Sequence, residues 1–283
     1  MKIHWYPGHM AKTRRLLIES LKLVDVVVEL LDARAPRATA NPDLDLLLKD
    51  KTRIIVLNKC DLADLEETKR WVLWYEAKGL LVLPFNSSAG NKKAASAVIE
   101  KAAAPLVAKM KEKGVNKTVR AQVVGIPNVG KSTFINCIAG AARTKVGNKP
   151  GVTRGRQWVK ITPYFELLDT PGLLWPKLEN EAHALSLAFI GAIKDEILDV
   201  EELAAQLLIK LQRICPKELN ARFGKIRSET RDEDLLFAVC ASRGFLLHGG
   251  MPDYARGARI VLDEFRAGII ARVTLDEPNS TDE

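Results

Sequence analysis

Residues 125–132 read GIPNVGKS and fit the pattern GxxxxGK[ST]. Few octapeptides leave a chain so little choice. The pattern works only where a strand delivers it and a helix carries the chain away. Its glycines let the backbone wrap an anion, and its N–H groups point inward with the helix N-terminus behind them. The apolar run 121–124 precedes it, and a helix starting at Ser132 follows. In that setting Lys131 reaches the β- and γ-phosphates of a nucleotide and the Ser132 hydroxyl is a Mg²⁺ ligand. Asn128, Val129, Gly130 and Thr133 line the same loop.

The rest of the chain supplies a sheet for such a loop. Residues 24–31 (VDVVVELL), 53–57 (RIIVL), 80–85 and 121–124 are short apolar runs bounded by turn residues. They read as strands buried on both faces. Amphipathic stretches at 10–22, 65–78 and 94–111 lie between them. Alternating strand and helix predicts a parallel α/β sheet. Residues 157–161 and 165–168 flank Thr162-Pro163-Tyr164 and predict a hairpin that gives one antiparallel edge. Beyond about residue 180 strand-like runs stop, and 201–213, 232–242 and 254–266 read as helices. The expected organisation is a nucleotide-binding α/β domain over 1–178, an all-helical domain over 179–275, and a polar, frayed tail over 276–283.

Three further motifs close predicted strands. Asp169-Thr170-Pro171-Gly172 follows 165–168. Asp169 there can hold the magnesium shell through water, and the Gly172 N–H can sense the γ-phosphate. Thr153, in Pro150-Gly151-Val152-Thr153, lies between the phosphate loop and this motif and is a candidate second magnesium ligand. Asn58-Lys59-Cys60-Asp61 closes 53–57. The Asp61 carboxylate can accept from N1–H and the amino group of guanine, a donor pair that adenine lacks. The Lys59 stem can lie along the base plane. Asn86-Ser87-Ser88-Ala89 closes 80–85 and suits a loop whose N–H meets the guanine oxygen. Ligands of open α/β sheets bind at the carboxyl ends of strands, where all four motifs fall. The expected cofactors are GTP or GDP with Mg²⁺.

The order is unusual. Base readers come first and the phosphate loop follows, so the fold expected is a P-loop GTPase sheet with its motifs circularly permuted. Permutation is tolerated because domain termini tend to lie close together. The joint falls in the lysine-rich stretch 109–117, and the cut falls after Gly172. The segment 173–180 then leads straight into the helical domain.

Charge and composition exclude other classes. No apolar run approaches the ~18 residues of a membrane span, and MKIHWYPGHM lacks a signal-peptide core, so a cytoplasmic protein without membrane attachment is expected, or an organelle-matrix one if a transit peptide has been removed. Cys60, Cys137, Cys215 and Cys240 form no CxxC pair, which argues against zinc or a disulfide scaffold. The net charge of +8 is uneven: residues 1–180 hold 30 Lys and Arg against 17 Asp and Glu, and the remainder hold 13 against 18. A basic surface on the first part suggests a polyanionic partner.

With these residues in view, the sequence resembles the circularly permuted GTPases, and most closely the ribosome biogenesis GTPase A (YlqF-type) family. The resemblance rests on WYPGHM at 5–10, DARAPRATANP at 32–42, NKCD, GIPNVGKS, PGVT, DTPGLLWPK and GAIKD at 191–195. It implies GTP hydrolysis, a helical carboxyl-terminal domain, and a role in late assembly of the large ribosomal subunit. The implied partners are its precursor particle, rRNA and ribosomal proteins, with the protein monomeric away from the ribosome. Leu173 follows DxxG where many GTPases carry a glutamine that positions water. The resemblance nominates His9, on a Gly-containing loop, as the group that orients the nucleophile. Asn128 stands where potassium-activated GTPases carry asparagine and is the candidate K⁺ ligand. Lys145, Lys149, Arg154, Arg156 and Lys160 form one basic cluster that could meet RNA; Lys210, Arg213, Lys217, Arg222, Lys225, Arg227 and Arg231 form another. A second reading, from a different class, is a nucleotide-gated adaptor that binds a protein partner through its helical domain with little hydrolysis.

Overall fold

The computed structural model describes residues 9–48, 51–140, 157–170, 172, 180–224, 226 and 229–278; for 9–14, 43, 45 and 46 it describes the backbone alone. Six strands form one sheet: β1 (Val26–Asp32), β2 (Thr52–Asn58), β3 (Leu81–Phe85), β4 (Val119–Val124), β5 (Gln157–Thr162) and β6 (Phe165–Asp169). Their spatial order is β3-β2-β1-β4-β6-β5, and β5 alone runs antiparallel, against β6. The register places Asp32 beside Asn58, Asn58 beside Phe85, and Val123 beside Asp169. The carboxyl ends of the five parallel strands therefore face one edge of the sheet, with β1, β2 and β3 finishing level and β4 and β6 ending three to four residues earlier.

The continuous apolar runs have a simple cause. Ile54 and Val56 point into the main core, while Ile55 and Leu57 point to the opposite face, where Trp71 and Tyr75 cover them. A strand buried on both faces has no room for alternation. Trp71 and Tyr75 belong to α4 (Leu65–Ala77), whose amino end is capped by Asp64 accepting from Glu67 N. The other face is covered by α5 (Lys92–Glu112) and α6 (Lys131–Ala139). Helix α1 (His9–Leu21) adds Leu17 and Leu21 to the main core cluster, and its Ser20 Oγ accepts from Gln122 Nε2 on β4 at 2.8 Å. Two short helices, α2 (Pro36–Thr39) and α3 (Pro42–Leu47), were not legible as periodic segments, because each is too short to show a repeat. His9, expected on a loop, instead opens α1, one residue before the predicted start of that helix.

Residues beyond 180 are helical, as expected: α7 (Glu181–Phe189), α8 (Val200–Ile214), α9 (Pro216–Phe223), α10 (Leu235–Arg243) and α11 (Tyr254–Arg266), with short 3₁₀ turns at Asp195–Ile197 and Asp232–Asp234. Helix α11 buries Gly257, Ala258, Val261, Leu262 and Phe265, a stripe at helical spacing. That stripe packs on α8, and the apolar cluster it joins runs without a break into the sheet.

The tail differs from expectation in its described part. Residues 273–278 cross back over the nucleotide-binding half instead of fraying. Leu275 N donates to Arg34 O at 2.6 Å, Thr274 Oγ1 to Ala33 O at 3.2 Å, and Ala38 N to Asp276 Oδ2 at 3.0 Å. Arg37 donates to the carbonyls of Glu277 and Pro278. Polar composition predicted fraying, but here backbone donors and an arginine await the segment. Residues 279–283 lie outside the described part.

Asp276 is wedged between the two halves. Burial pushes its carboxyl up to about 7, against the hydrogen bond from Ala38 and the attraction of Lys210 and Arg37. A folded-state pKa above the unfolded one means that the protonated form stabilises the fold. That stability is complete below the unfolded pKa and is lost as pH rises through about 7. Asp276→Asn should therefore melt with the wild type near pH 4 and higher than it at pH 8, by on the order of 5 °C. Melting curves across that range test this; a pH-independent difference would rule it out.

Candidate nucleotide-binding site

The phosphate loop lies between β4 and α6, as its pattern requires. Gly130 takes a left-handed conformation at the amino end of α6, and Asn128 does so just before it, with φ 59°. Left-handed backbone is uncommon for residues other than glycine, and asparagine is among those that tolerate it. Lys131 is buried and folds back over the loop, donating to Gly125 O at 3.1 Å and Ile126 O at 2.8 Å. Burial pushes its ammonium down to about 8, and nearby Asp169 opposes that shift. Val129 is buried beneath the loop, while Ser132 and Thr133 sit half-buried in the first turn of α6.

Asn58 joins three motifs. Its Nδ2 donates to Val129 O at 2.7 Å, and its Oδ1 accepts from Ser87 N at 3.1 Å and Ser87 Oγ at 2.7 Å. The side chain is 1% exposed, so it is a staple between the phosphate loop and the loop after β3. A Cβ on Gly130 would collide with the Asn58 amide nitrogen, which accounts for glycine there. In the same loop Asn86 Oδ1 accepts from Ser88 N at 2.8 Å and Ala89 N at 3.2 Å. Asp61, by contrast, is exposed at the mouth of the site.

A second polar cluster lies behind the loop. The Asp32 carboxylate at the end of β1 takes Arg34 Nε at 2.8 Å, Arg34 Nη2 at 2.7 Å and Lys59 Nζ at 3.0 Å. Burial alone would raise its pKa, but Arg34 and Lys59 together hold it well below the usual carboxylate range. Lys59 also donates to Asn128 O at 2.8 Å. Its own pKa is lowered by desolvation, with Asp32 acting the other way. The helical part closes the circuit. Asn128 Nδ2 donates to Gly191 O at 2.7 Å, and Arg34 Nη1 to Arg266 O at 3.2 Å. Arg266 in turn pairs with both Asp195 oxygens and caps α7 through Ala188 O and Phe189 O.

At the end of β6, Ser132 Oγ lies 2.9 Å from Asp169 Oδ2. Asp169 is 1% exposed, and among the described residues its Oδ1 has no hydrogen-bond partner. Burial raises its pKa against the opposing pull of Ser132 and Lys131. Thr170 Oγ1 donates to Val123 O at 2.8 Å and fixes the start of DTPG to the neighbouring strand. A Cβ on Gly172 would stand 2.5 Å from Pro127 N, so only glycine lets this segment lie against the phosphate loop. Thr153, Leu173 and the side chain of His9 lie outside the described residues.

The basic clusters fare unevenly. Of the first, only Lys160 is described, exposed on β5. In the second, Arg222 pairs with Glu264 at 2.5 Å, Arg231 with Glu233 and Asp234, and Lys210 is attracted to Asp276. Several of its cations are therefore spent within the protein, a pairing that counting charge along the chain cannot reveal. Asp32, Arg34, Gly191 and Arg266 were missed as site residues. Asp32, Arg34 and Gly191 do lie within the stretches 32–42 and 191–195, which carry the family resemblance.

A family described as 50S ribosome-binding GTPase matches residues 120–235. Ribosome biogenesis GTPase A of Bacillus cereus is 42% identical over 98% of this chain and 95% of its own length. Mitochondrial ribosome-associated GTPase 1 of Mus musculus is 34% identical over 96% of this chain and 89% of its own. The solved structure of GNP-bound YlqF from Thermotoga maritima superposes with a TM-score of 0.70 at 28% identity, covering 95% of this chain and all of that one. Sheet, loop and motif order together define a P-loop GTPase with a circularly permuted G domain, an enzyme that binds guanine nucleotide and hydrolyses GTP. Similarity along nearly the whole length is more particular: the chain belongs to the ribosome biogenesis GTPase A family. Among the described residues no helix is long and apolar enough to cross a membrane.

Removing the Asn58 staple should be expensive. Asn58→Ala strands a carbonyl, an N–H and a hydroxyl in a buried place, a loss on the order of 3 kcal/mol. The apo protein should melt well below wild type, and nucleotide affinity should fall with it. An unchanged apo melting temperature would show that the three loops hold together without it.

Proposed function

We propose that this GTPase is an assembly factor that docks on a precursor of the large ribosomal subunit, contacts rRNA and ribosomal proteins there, and leaves after hydrolysis. The observation that carries the reading is the convergence of NKCD, NSSA, GIPNVGKS and Asp169 on one sheet edge, in a chain similar along nearly its whole length to ribosome biogenesis GTPases. In this reading it works in the cytoplasm, as a monomer when off the particle. Co-sedimentation with ribosomal particles, in a non-hydrolysable GTP analogue and in GDP, tests it. Retention with the analogue and release in GDP is expected; retention in neither state would leave the adaptor reading standing.

In the site, Asp61 reads guanine, Lys59 lies along the base, and the loop from Asn86 through Ser87 and Ser88 to Ala89 frames the guanine oxygen. That oxygen competes with Asn86 Oδ1 for the Ala89 N–H, whose present bond is the longer of the two Asn86 accepts. The phosphates lie across Asn128 to Thr133, with Lys131 turning from loop carbonyls to phosphate oxygens and the Gly172 N–H facing the γ-phosphate. Ser132 and, through water, Asp169 fit a magnesium ion: a hydroxyl and a buried carboxylate already meet there, and one carboxylate oxygen has no other described partner. Thr153, outside the described residues, is the further ligand proposed from the sequence. Magnesium at that place supplies charge neutralisation on the phosphates. Asn128 fits a potassium ligand in one respect: its amide nitrogen is committed to Gly191, so a cation would meet its oxygen.

Asp61→Asn should move the preference from guanine to xanthine. The amide offers one donor and one acceptor, which suits the additional carbonyl of xanthine. GTP affinity should fall roughly 10²-fold or more. Competition binding with GDP and XDP decides it, and unchanged GTP affinity would remove the guanine-reader role.

With Leu173 where a glutamine often stands, His9 is the candidate to orient water. His9→Ala should leave GTP affinity nearly intact, while particle-stimulated turnover falls by about 10²-fold or more. Potassium should accelerate turnover and sodium should not. Normal turnover in the variant would make the histidine structural; equal rates in the two salts would remove the cation.

A further inference from the structure

We propose that Asp32 is a positioning residue for guanine-nucleotide binding, its carboxylate holding the Lys59 ammonium against the phosphate-loop carbonyl of Asn128. The inference deepens the site reading above and rests on Lys59 lying along the base. Lys59 has a left-handed backbone, φ 58°, which sends its side chain across the end of the sheet instead of along it. Its ammonium bridges two elements, with Asp32 Oδ2 at 3.0 Å and Asn128 O at 2.8 Å. The lysine side chain is 26% exposed, and Asp32 is fully buried. A partly exposed lysine with four rotatable bonds would otherwise sample many rotamers, and ordering it would be charged to nucleotide binding.

The carboxylate is suited to this task because it cannot turn. Arg34 grips both of its oxygens, and Arg34 N adds a further hydrogen bond to Oδ1 at 3.1 Å. The remaining arm of Arg34 is held by Arg266 O. A rigid, buried anion thus fixes a mobile, half-exposed cation, and the rigidity is borrowed from α11. None of this touches the nucleotide directly, so Asp32 acts only through Lys59.

A double-mutant cycle tests the claim. Dissociation constants of fluorescent GDP, and the single-turnover rate constant of bound GTP, are measured for Asp32→Asn, Lys59→Met and the pair. Asp32→Asn should weaken GDP binding roughly 10- to 30-fold, the scale of ordering one long side chain. Its hydrolysis rate constant at saturation should stay within about threefold of wild type. The pair should bind no worse than Lys59→Met alone. Losses that multiply, or wild-type affinity in a folded Asp32→Asn protein, overturn the proposal. If Lys59→Met alone binds normally, the base-plane reading of Lys59 falls first, and this inference falls with it. Asp32→Asn leaves Arg34 an unpaired buried cation, so the cycle is repeated in an Arg34→Met background, where a neutral pair replaces the ionic one. The same non-additivity is expected there, and its absence counts against the proposal equally.

Discussion

Everything in the site hangs on the side-chain amide of Asn58. The loops after β4 and β3 leave the same edge of the sheet, but sharing an edge does not join them. The amide joins them, with its nitrogen on the phosphate loop at Val129 and its oxygen on Ser87 after β3. In this permuted chain the joined loops come from segments 71 and 29 residues away from Asn58. Long-range closure of that kind costs chain entropy, which the buried apolar strands recover and a lone hydrogen bond does not. The amide contributes uniqueness: one register of three loops makes all three of these bonds, and a shift of any loop leaves a buried polar atom unpaired.

The helical part is bound into the same arrangement. Asn128 reaches forward to Gly191, Arg34 reaches to Arg266, and the tail returns to Ala33, Arg34 and Ala38. The Gly191 turn and Arg266 are themselves tied, because Arg266 caps the carbonyls that end α7. A displacement of α7 relative to α11 would disturb both ends of the contact between Lys59 and Asn128. Permutation makes this arrangement natural, since the chain leaves DTPG and passes directly into the helical region.

Much of this was legible before any coordinates. Runs such as RIIVL could only be two-sided strands, and a phosphate loop with a strand before it and a helix after it admits one local fold. The antiparallel edge followed from the turn at Pro163. Helices α2 and α3 were not legible, because six residues or fewer show no repeat. The tail misled because composition reports the solubility of a segment and not the donors waiting for it at Arg37 and Ala38. Asn58 was read as a contact to nucleotide; the fold also places its side chain between the phosphate loop and Ser87, which the sequence does not show. Asp32 and Arg34, opposite charges two residues apart, were given no site role from the sequence, and both are buried. Only the fold brings Lys59 to the same carboxylate.

Asp32 and Asp169 make the last comparison. Both end strands on the same sheet edge and both are buried to within 1% exposure, yet their electrostatics are opposite. For Asp32, desolvation is outweighed by Arg34 and Lys59, so the charge is settled within the protein. For Asp169, desolvation prevails: a serine hydroxyl and the Lys131 ammonium do not offset it, and one oxygen lacks a described partner. A carboxylate in the first condition is a strut, whose removal releases what it holds. A carboxylate in the second is a site that a cation would satisfy, because a nearby positive charge reverses the shift that burial imposes. Identical chemistry at two strand ends on one sheet edge is thus divided by the arginine at position 34, two residues along the chain from one of them.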